Sequence, residues 1–146
     1  MPNWCSNNLT ITASNDEQKE LLKQVSSLKP EEGFISLFFP LPAILEDTIS
    51  PTPKDLDEDL RQQMISETGF DNWRDWCVHN WGTKWDPRLY GAKFIDDNTL
   101  SLSFDSAWAP PIAFYEKLHS QGFGVKADYY EAGMDFPVVK LIKTNT

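Results

Sequence analysis

The sequence predicts one α+β domain on a split β-α-β-β-α-β plan, with a helical insertion in its first half and an extra C-terminal strand. Three observations point there. Apolar and polar residues alternate at Asn8–Thr12 (N-L-T-I-T) and at Thr99–Phe104 (T-L-S-L-S-F), the mark of half-buried strands. Leucines at helical spacing follow the first alternation. A second apolar helix follows Pro110-Pro111, so two amphipathic helices flank a hairpin and should pack on one face of an antiparallel sheet. The chain of 146 residues fits a single domain, which at this size buries roughly 68–70% of its unfolded surface without staples.

Taken in order, Leu9 and Ile11 share the buried face of the first strand. Ser14 or Asn15 supplies an N-cap, with Asp16 and Glu17 in the first turn, where the helix dipole favours acids. Leu21, Leu22, Val25 and Leu28 form the stripe of a helix of about 13 residues that breaks at Pro30. Gly33–Leu41 reads as extended, and Pro40 and Pro42 confine it to a sheet edge or a buried crossing loop. An insertion of about residues 43–80 follows. In it, Pro51 and Pro53 mark a turn, Asp55–Ser66 an acidic helix that Gly69 ends, and Phe70, Trp73, Trp76 and Cys77 one face of a second short helix. The hairpin comprises Ala92–Ile95, a turn at Asp96-Asp97-Asn98, and Thr99–Phe104. Pro110-Pro111 opens the second main helix, with Phe114, Tyr115 and Leu118 inward and Gly122 at its end. Gly124–Tyr130 and Phe136–Ile142 form the final antiparallel pair around Gly133.

The net charge is −9, and a nucleic-acid binder needs clustered Lys and Arg to neutralise phosphates; direct nucleic-acid binding is not expected. From Ala43 to Asn72, eight acids (Glu46, Asp47, Asp55, Asp57, Glu58, Asp59, Glu67 and Asp71) meet two bases (Lys54 and Arg61), a net −6. Such a run forms either a solvated face or an acidic surface for a basic partner. No apolar run approaches the roughly 18 residues of a membrane helix, and the opening lacks the pattern of a secretory signal. A cytoplasmic protein is expected, with Cys5 and Cys77 as free thiols.

Six tryptophans concentrate in polar surroundings. N-W-G-T-K-W-D (Asn80 to Asp86) holds two of them, and Trp4, Trp73, Trp76 and Trp108 complete the set. Tryptophan persists where its N–H finds a buried partner or where a rigid anchor serves recognition. P-N-W-C-S-N (Pro2 to Asn7), F-P-L-P (Phe39 to Pro42), W-x-x-x-N-W-G-T-K-W-D (Trp76 to Asp86), A-W-A-P-P (Ala107 to Pro111) and Y-Y-E-A-G (Tyr129 to Gly133) occur in this order. Together they resemble the YubB-type ferredoxin-like family of phage and plasmid proteins. The resemblance spans most of the chain outside the acidic insertion, with Ala109 where the family pattern suggests Ser. It implies a ferredoxin-like fold and a mobile-element origin, and no established activity, cofactor or catalytic residue. The fold name refers to topology; two cysteines cannot supply the four thiolates of an iron–sulfur cluster.

The chemical candidates are few. Cys5, Cys77 and His79 lack a fourth zinc ligand at familiar spacing, and no metal site is expected. Cys77 and His79, two apart on a helix, diverge by about 200°, against a nucleophilic pair. Phosphate-loop, dinucleotide and nucleophile-elbow motifs are missing, so neither a cofactor nor a catalytic residue is assigned. Lys84, Asp86 and Glu131 interleave with the aromatic words. They form either a buried network, with Lys84 paired to a carboxylate, or a charged patch beside Trp81, Trp85, Trp108 and Tyr130. Two functions follow. One is a non-enzymatic binding protein of a phage or plasmid, engaging a host or viral protein, for instance in counter-defence. It would use the tryptophan surface, the acidic face at Asp55, Asp57, Glu58 and Asp59, or both. The other is a small-ligand binder or an unrecognised enzyme walled by the same aromatics.

Overall fold

A computed structural model describes residues 4–131 and 138–143, with Glu131 and residues 138–143 as backbone alone. The elements are β1 (Trp4–Thr12), α1 (Asp16–Ser26), α2 (Ile35–Phe38), a 3-10 turn at Ala43–Leu45, α3 (Glu58–Thr68) and α4 (Trp73–Asn80). Then come β2 (Leu89–Asp96), β3 (Thr99–Ala107), α5 (Ile112–Ser120), β4 (Gly124–Glu131) and β5 (Val138–Lys143). One antiparallel sheet runs in the order β2-β3-β1-β4-β5. The molecule is therefore α+β, in an order consistent with the ferredoxin-like plan extended by one edge strand.

The pleat assigns the faces. Cys5, Asn7, Leu9 and Ile11 of β1 are buried, opposite Ser106, Phe104, Leu102 and Leu100 of β3. Ala127 and Val125 of β4 continue that face. Leu22 and Val25 of α1 and Phe114, Tyr115 and Leu118 of α5 join the same core, so both helices cover one side of the sheet. Each fully buried large apolar side chain contributes about 1.5–3 kcal/mol from burial alone. The other side carries Ser6, Asn8 and Lys126, all exposed.

Local chemistry sets the helix ends. Asn15, rather than Ser14, caps α1 by accepting from the Gln18 amide at 2.9 Å. The acidic helix starts later than the sequence suggests because Asp57 is its N-cap, accepting from the Asp59 amide; Gly69 closes it at φ 85°. Asn72 caps α4 through the Asp75 amide at 2.9 Å.

Gly33–Leu41 departs from the extended reading. Residues 35–38 form a helical turn because Asp86, fifty residues away in sequence, accepts from the Ile35 amide at 2.7 Å and the Ser36 amide at 3.1 Å. The approach leaves no room beyond glycine: a Cβ on Gly33 would lie 2.3 Å from the Asp86 Cγ. The strands also run longer than their alternation, because β1 begins at Trp4 and β3 continues to Ala107. Phe136 and Gly133, part of the predicted final pair, lie outside the described residues.

A buried polar knot ties β1 to β3 and α5. The Asn7 amide donates to the Cys5 carbonyl and to Ser106 Oγ, both at 3.0 Å, and its oxygen accepts from the Tyr115 hydroxyl at 2.7 Å. Burial pushes the Tyr115 phenol well above its ordinary range, so it remains a donor. Asn7→Ala should cost about 1–3 kcal/mol in urea denaturation, because it strands a buried hydroxyl. Adding Tyr115→Phe should recover part of that loss; fully additive losses would show that the two groups do not act together.

Candidate functional site

The site is built outward from Trp81. Its ring is buried, stands edge-on to Trp76 with centroids 5.6 Å apart, and donates its N–H to the Phe39 carbonyl at 2.9 Å. Its own carbonyl accepts from the Phe114 amide at 3.1 Å, in the first turn of α5. Gly82, at φ 85°, lies so close to Pro111 and Ile112 that a Cβ would sit 3.0–3.1 Å from their backbone. Trp81 is thus a core residue, a correction to its expected place among surface anchors; its polar N–H finds an internal acceptor, which favours burial.

Beyond this joint the chain surfaces. Trp4, Trp85 and Trp108 are 50%, 42% and 47% exposed, unusual for residues of that size. Lys84 Nζ lies between two of them, 4.1 Å from the Trp85 centroid and 3.9 Å from that of Trp108. Arg74 approaches Trp108 at 5.8 Å, and Trp4 tilts against Trp85 at 6.1 Å. The result is a row in which two cations and two rings alternate and a third ring ends it: Arg74, Trp108, Lys84, Trp85, Trp4. Among the described residues no carboxylate pairs with Lys84. Lys84 instead makes cation–π contacts among the described residues, each worth about 0.5–1 kcal/mol where exposed and about 2 where desolvated; the predicted pairing with Glu131 falls on a side chain outside them.

Trp108 is held out by strain. Its φ of 69° is rare for a bulky residue, and the Ala109 amide closes a tight turn onto the Ala107 carbonyl at 2.9 Å. Ser106 Oγ donates to the Ala109 carbonyl at 2.6 Å, fixing the turn's exit. Such outliers persist where surrounding structure enforces them and cluster at functional sites.

A cleft of about 460 Å³ opens beside Trp4 and Trp85, walled further by Pro87, Arg88, Tyr90 and Asp105. The Tyr90 hydroxyl donates to the Asp105 carboxylate, which raises the phenol's pKa. Tyr130, exposed, lies opposite Ser6 on β1 and so shares the outer sheet face with Trp4. The Glu131 side chain, predicted to meet Lys84, lies outside the described residues. Asp86 lines the cleft's inner wall, but its carboxylate is spent on the amides of α2, so it acts as a structural cap rather than an exposed binding group. Arg88 and Tyr90 were not singled out by sequence; their signal is the two-residue step from Asp86 into β2, which places them at the cleft.

The acidic face is exposed at Asp55, Asp57, Glu58 and Asp59, yet it is not wholly unpaired. Glu58 accepts from Gln62 at 2.9 Å and pairs with Arg61 at 3.2 Å, which lowers its pKa. Asp71 accepts from Thr52, Asn72 and Arg61, and its pKa is likewise lowered. Part of this acid therefore organises the insertion, with Asp57, Glu58 and Asp59 favoured by the start of α3.

Cys5 and Cys77 are both buried. Burial, with the Asp86 charge nearby, pushes the Cys77 thiol up to about 12. His79 is exposed and packs on Phe70 at 5.3 Å, so it shares no site with the buried Cys77.

No family model matches this chain, and no curated protein matches it. Among solved structures, one described as protein api92 from Yersinia pseudotuberculosis, family-model DUF1281, is similar at TM-score 0.48 and 12% identity. The alignment covers 99% of this chain and 98% of that one. A likeness at that level carries no argument about function.

Burial pushes the Asp86 carboxyl upward, and the Ser36 side chain with the backbone amides of Ile35, Ser36 and Phe34 only partly holds it back. The native state then keeps a proton that the unfolded chain has already lost, so stability falls as pH rises from the ordinary carboxylate range through the raised value. Asp86→Asn should remove that fall. Its melting temperature relative to wild type should climb as pH rises above the ordinary carboxylate range of about 4, whatever constant loss the missing second acceptor imposes. Parallel profiles for the two proteins would refute the assignment.

Proposed function

We propose that this chain is a non-enzymatic binding protein of a phage or plasmid, built on a ferredoxin-like scaffold, that engages a host or viral protein through its tryptophan surface. The observation that carries this reading is the row Arg74, Trp108, Lys84, Trp85, Trp4, in which three rigid rings stay half-exposed. Rigid aromatics and arginine dominate binding hot spots because they bury large area at little entropic cost. The strained Trp108 backbone supports the reading, since packing alone gives no reason to hold an indole outward. The mobile-element origin rests on the resemblance of the five aromatic words. The acidic face at Asp55, Asp57, Glu58 and Asp59 serves encounter rather than affinity, as exposed charge steers association and is screened by salt.

The cleft of about 460 Å³ favours a second reading, a small-ligand binder or enzyme with an aromatic pocket.

Affinity capture from host cells tests the first. Trp85→Ala with Trp108→Ala should weaken partner retention by about 2 kcal/mol or more, roughly 30-fold. Neutralising Asp55, Asp57, Glu58 and Asp59 should slow association and flatten its salt dependence. Because Glu58 bonds Arg61 and Gln62, that variant should also melt slightly lower. Undiminished capture by the double tryptophan variant would rule out the surface as the recognition site.

A further inference from the structure

The cleft beside Trp85 has a donor and acceptor set that specifies a ligand. We infer that it binds a nucleotide, a planar heteroaromatic ring carrying a phosphate, either free or as one unit of a single strand. The inference rests on reading the tryptophan surface as a recognition site, and names what its cleft accepts.

Three features meet there. Trp4 and Trp85, both half-exposed, line it, and base–indole stacking contributes about 1–3 kcal/mol per base. Arg88 is exposed at the cleft and makes no ion pair or hydrogen bond through its guanidinium among the described residues. An unengaged planar fork matches a phosphate bidentately. Asp105, which also lines the cleft, takes one hydrogen bond from Tyr90 and has acceptor capacity left for a ring N–H or exocyclic amine. The volume, about 460 Å³, lies within the range of about 300–1,000 Å³ usual for small-ligand sites. An apolar side chain in the cleft would desolvate Arg88 and Asp105 without pairing either, whereas a nucleotide supplies a partner to each.

Charge is arranged to permit this. The whole chain carries −9, against a protein that tracks a duplex by neutralising many phosphates. The acids cluster instead in the insertion, while Arg74, Lys84 and Arg88 gather among the exposed rings with no carboxylate partner among the described residues. Of the two carboxylates at the cleft, Asp86 is turned onto the amides of α2. One phosphate on one arginine, with a stacked base, needs no wider basic surface. In a single strand, neighbouring bases would extend along Trp108 and Lys84.

Isothermal titration calorimetry with AMP, GMP, CMP, UMP, adenosine and ribose 5-phosphate tests it, alongside polarisation of fluorescein-labelled ten-residue oligo-dA and oligo-dT. At least one mononucleotide should bind, with its nucleoside and ribose 5-phosphate each about tenfold weaker or worse, since each supplies half the recognition. Arg88→Gln should weaken nucleotide by about tenfold and leave nucleoside unchanged. Trp85→Leu should weaken both, and Asp105→Asn should reorder the four bases; circular dichroism and melting confirm that the variants fold. Oligonucleotides binding more tightly than mononucleotides, with a log–log salt slope near about −0.7 per phosphate held, would identify a strand as the source; equal affinity would identify free nucleotide. No binding of any mononucleotide or oligonucleotide to wild type at millimolar concentration overturns the inference, as does wild-type affinity in Arg88→Gln. Partner capture lost in the double tryptophan variant while no nucleotide binds would reject this inference and leave the proposed protein-binding role standing.

Discussion

The burial of Trp81 is the constraint on which the rest of the structure turns. One residue joins three segments: its indole N–H reaches the Phe39 carbonyl, its ring meets Trp76 of α4, and its carbonyl accepts from Phe114 of α5. A large ring can be buried there because its polar atom is satisfied, and an unsatisfied N–H would cost about 1–3 kcal/mol. Gly82 must follow, since only a residue without Cβ fits against the first turn of α5 at that φ. With Trp81 and Gly82 held, the next four residues have little choice. Thr83 is buried, Lys84 and Trp85 emerge, and Asp86 turns back to cap α2.

The insertion and the sheet are therefore not independent. α4 contributes Trp76 and Cys77 to the common core, and Asp86 completes a helical turn that its own residues do not cap. The polar knot at Asn7 does the same between β1, β3 and α5, joining Ser106 and Tyr115. Both devices use a buried polar side chain to choose one packing, because any slip would leave donors or acceptors unmet. The strained Trp108 stands in the tight turn that begins at Ala107, the last residue of β3.

The acid has two roles that the sequence merges. Asp57 caps α3, Glu58 and Asp71 share Arg61, and Asp75 accepts from Asn72. Asp55 and Asp59 are exposed without a side-chain ion pair among the described residues. A tally of like charge cannot separate these, since pairing with a single arginine ten or three residues away depends on how the helix is packed, not on composition.

What the sequence determined was whatever depends on period and on neighbours. The alternation of Leu9, Ile11, Leu100 and Leu102, the leucine stripe of α1, the Gly69 stop and the hairpin turn were all legible, because side-chain direction and turn chemistry act over a few residues. The aromatic words were also visible as a group, and Lys84, Trp85 and Trp108 do converge. What only the tertiary structure decided was which of those residues stay outside. Trp81 and Trp85 stand four apart in one word, yet one is core and the other surface. The difference is an acceptor at Phe39 and the missing Cβ of Gly82, partners that come from distant segments. The same holds for Gly33–Leu41, whose prolines and aromatics read as extended until a carboxylate from residue 86 supplies the cap. Long-range hydrogen bonds select among local conformations of similar energy, and a sequence read by period does not contain them.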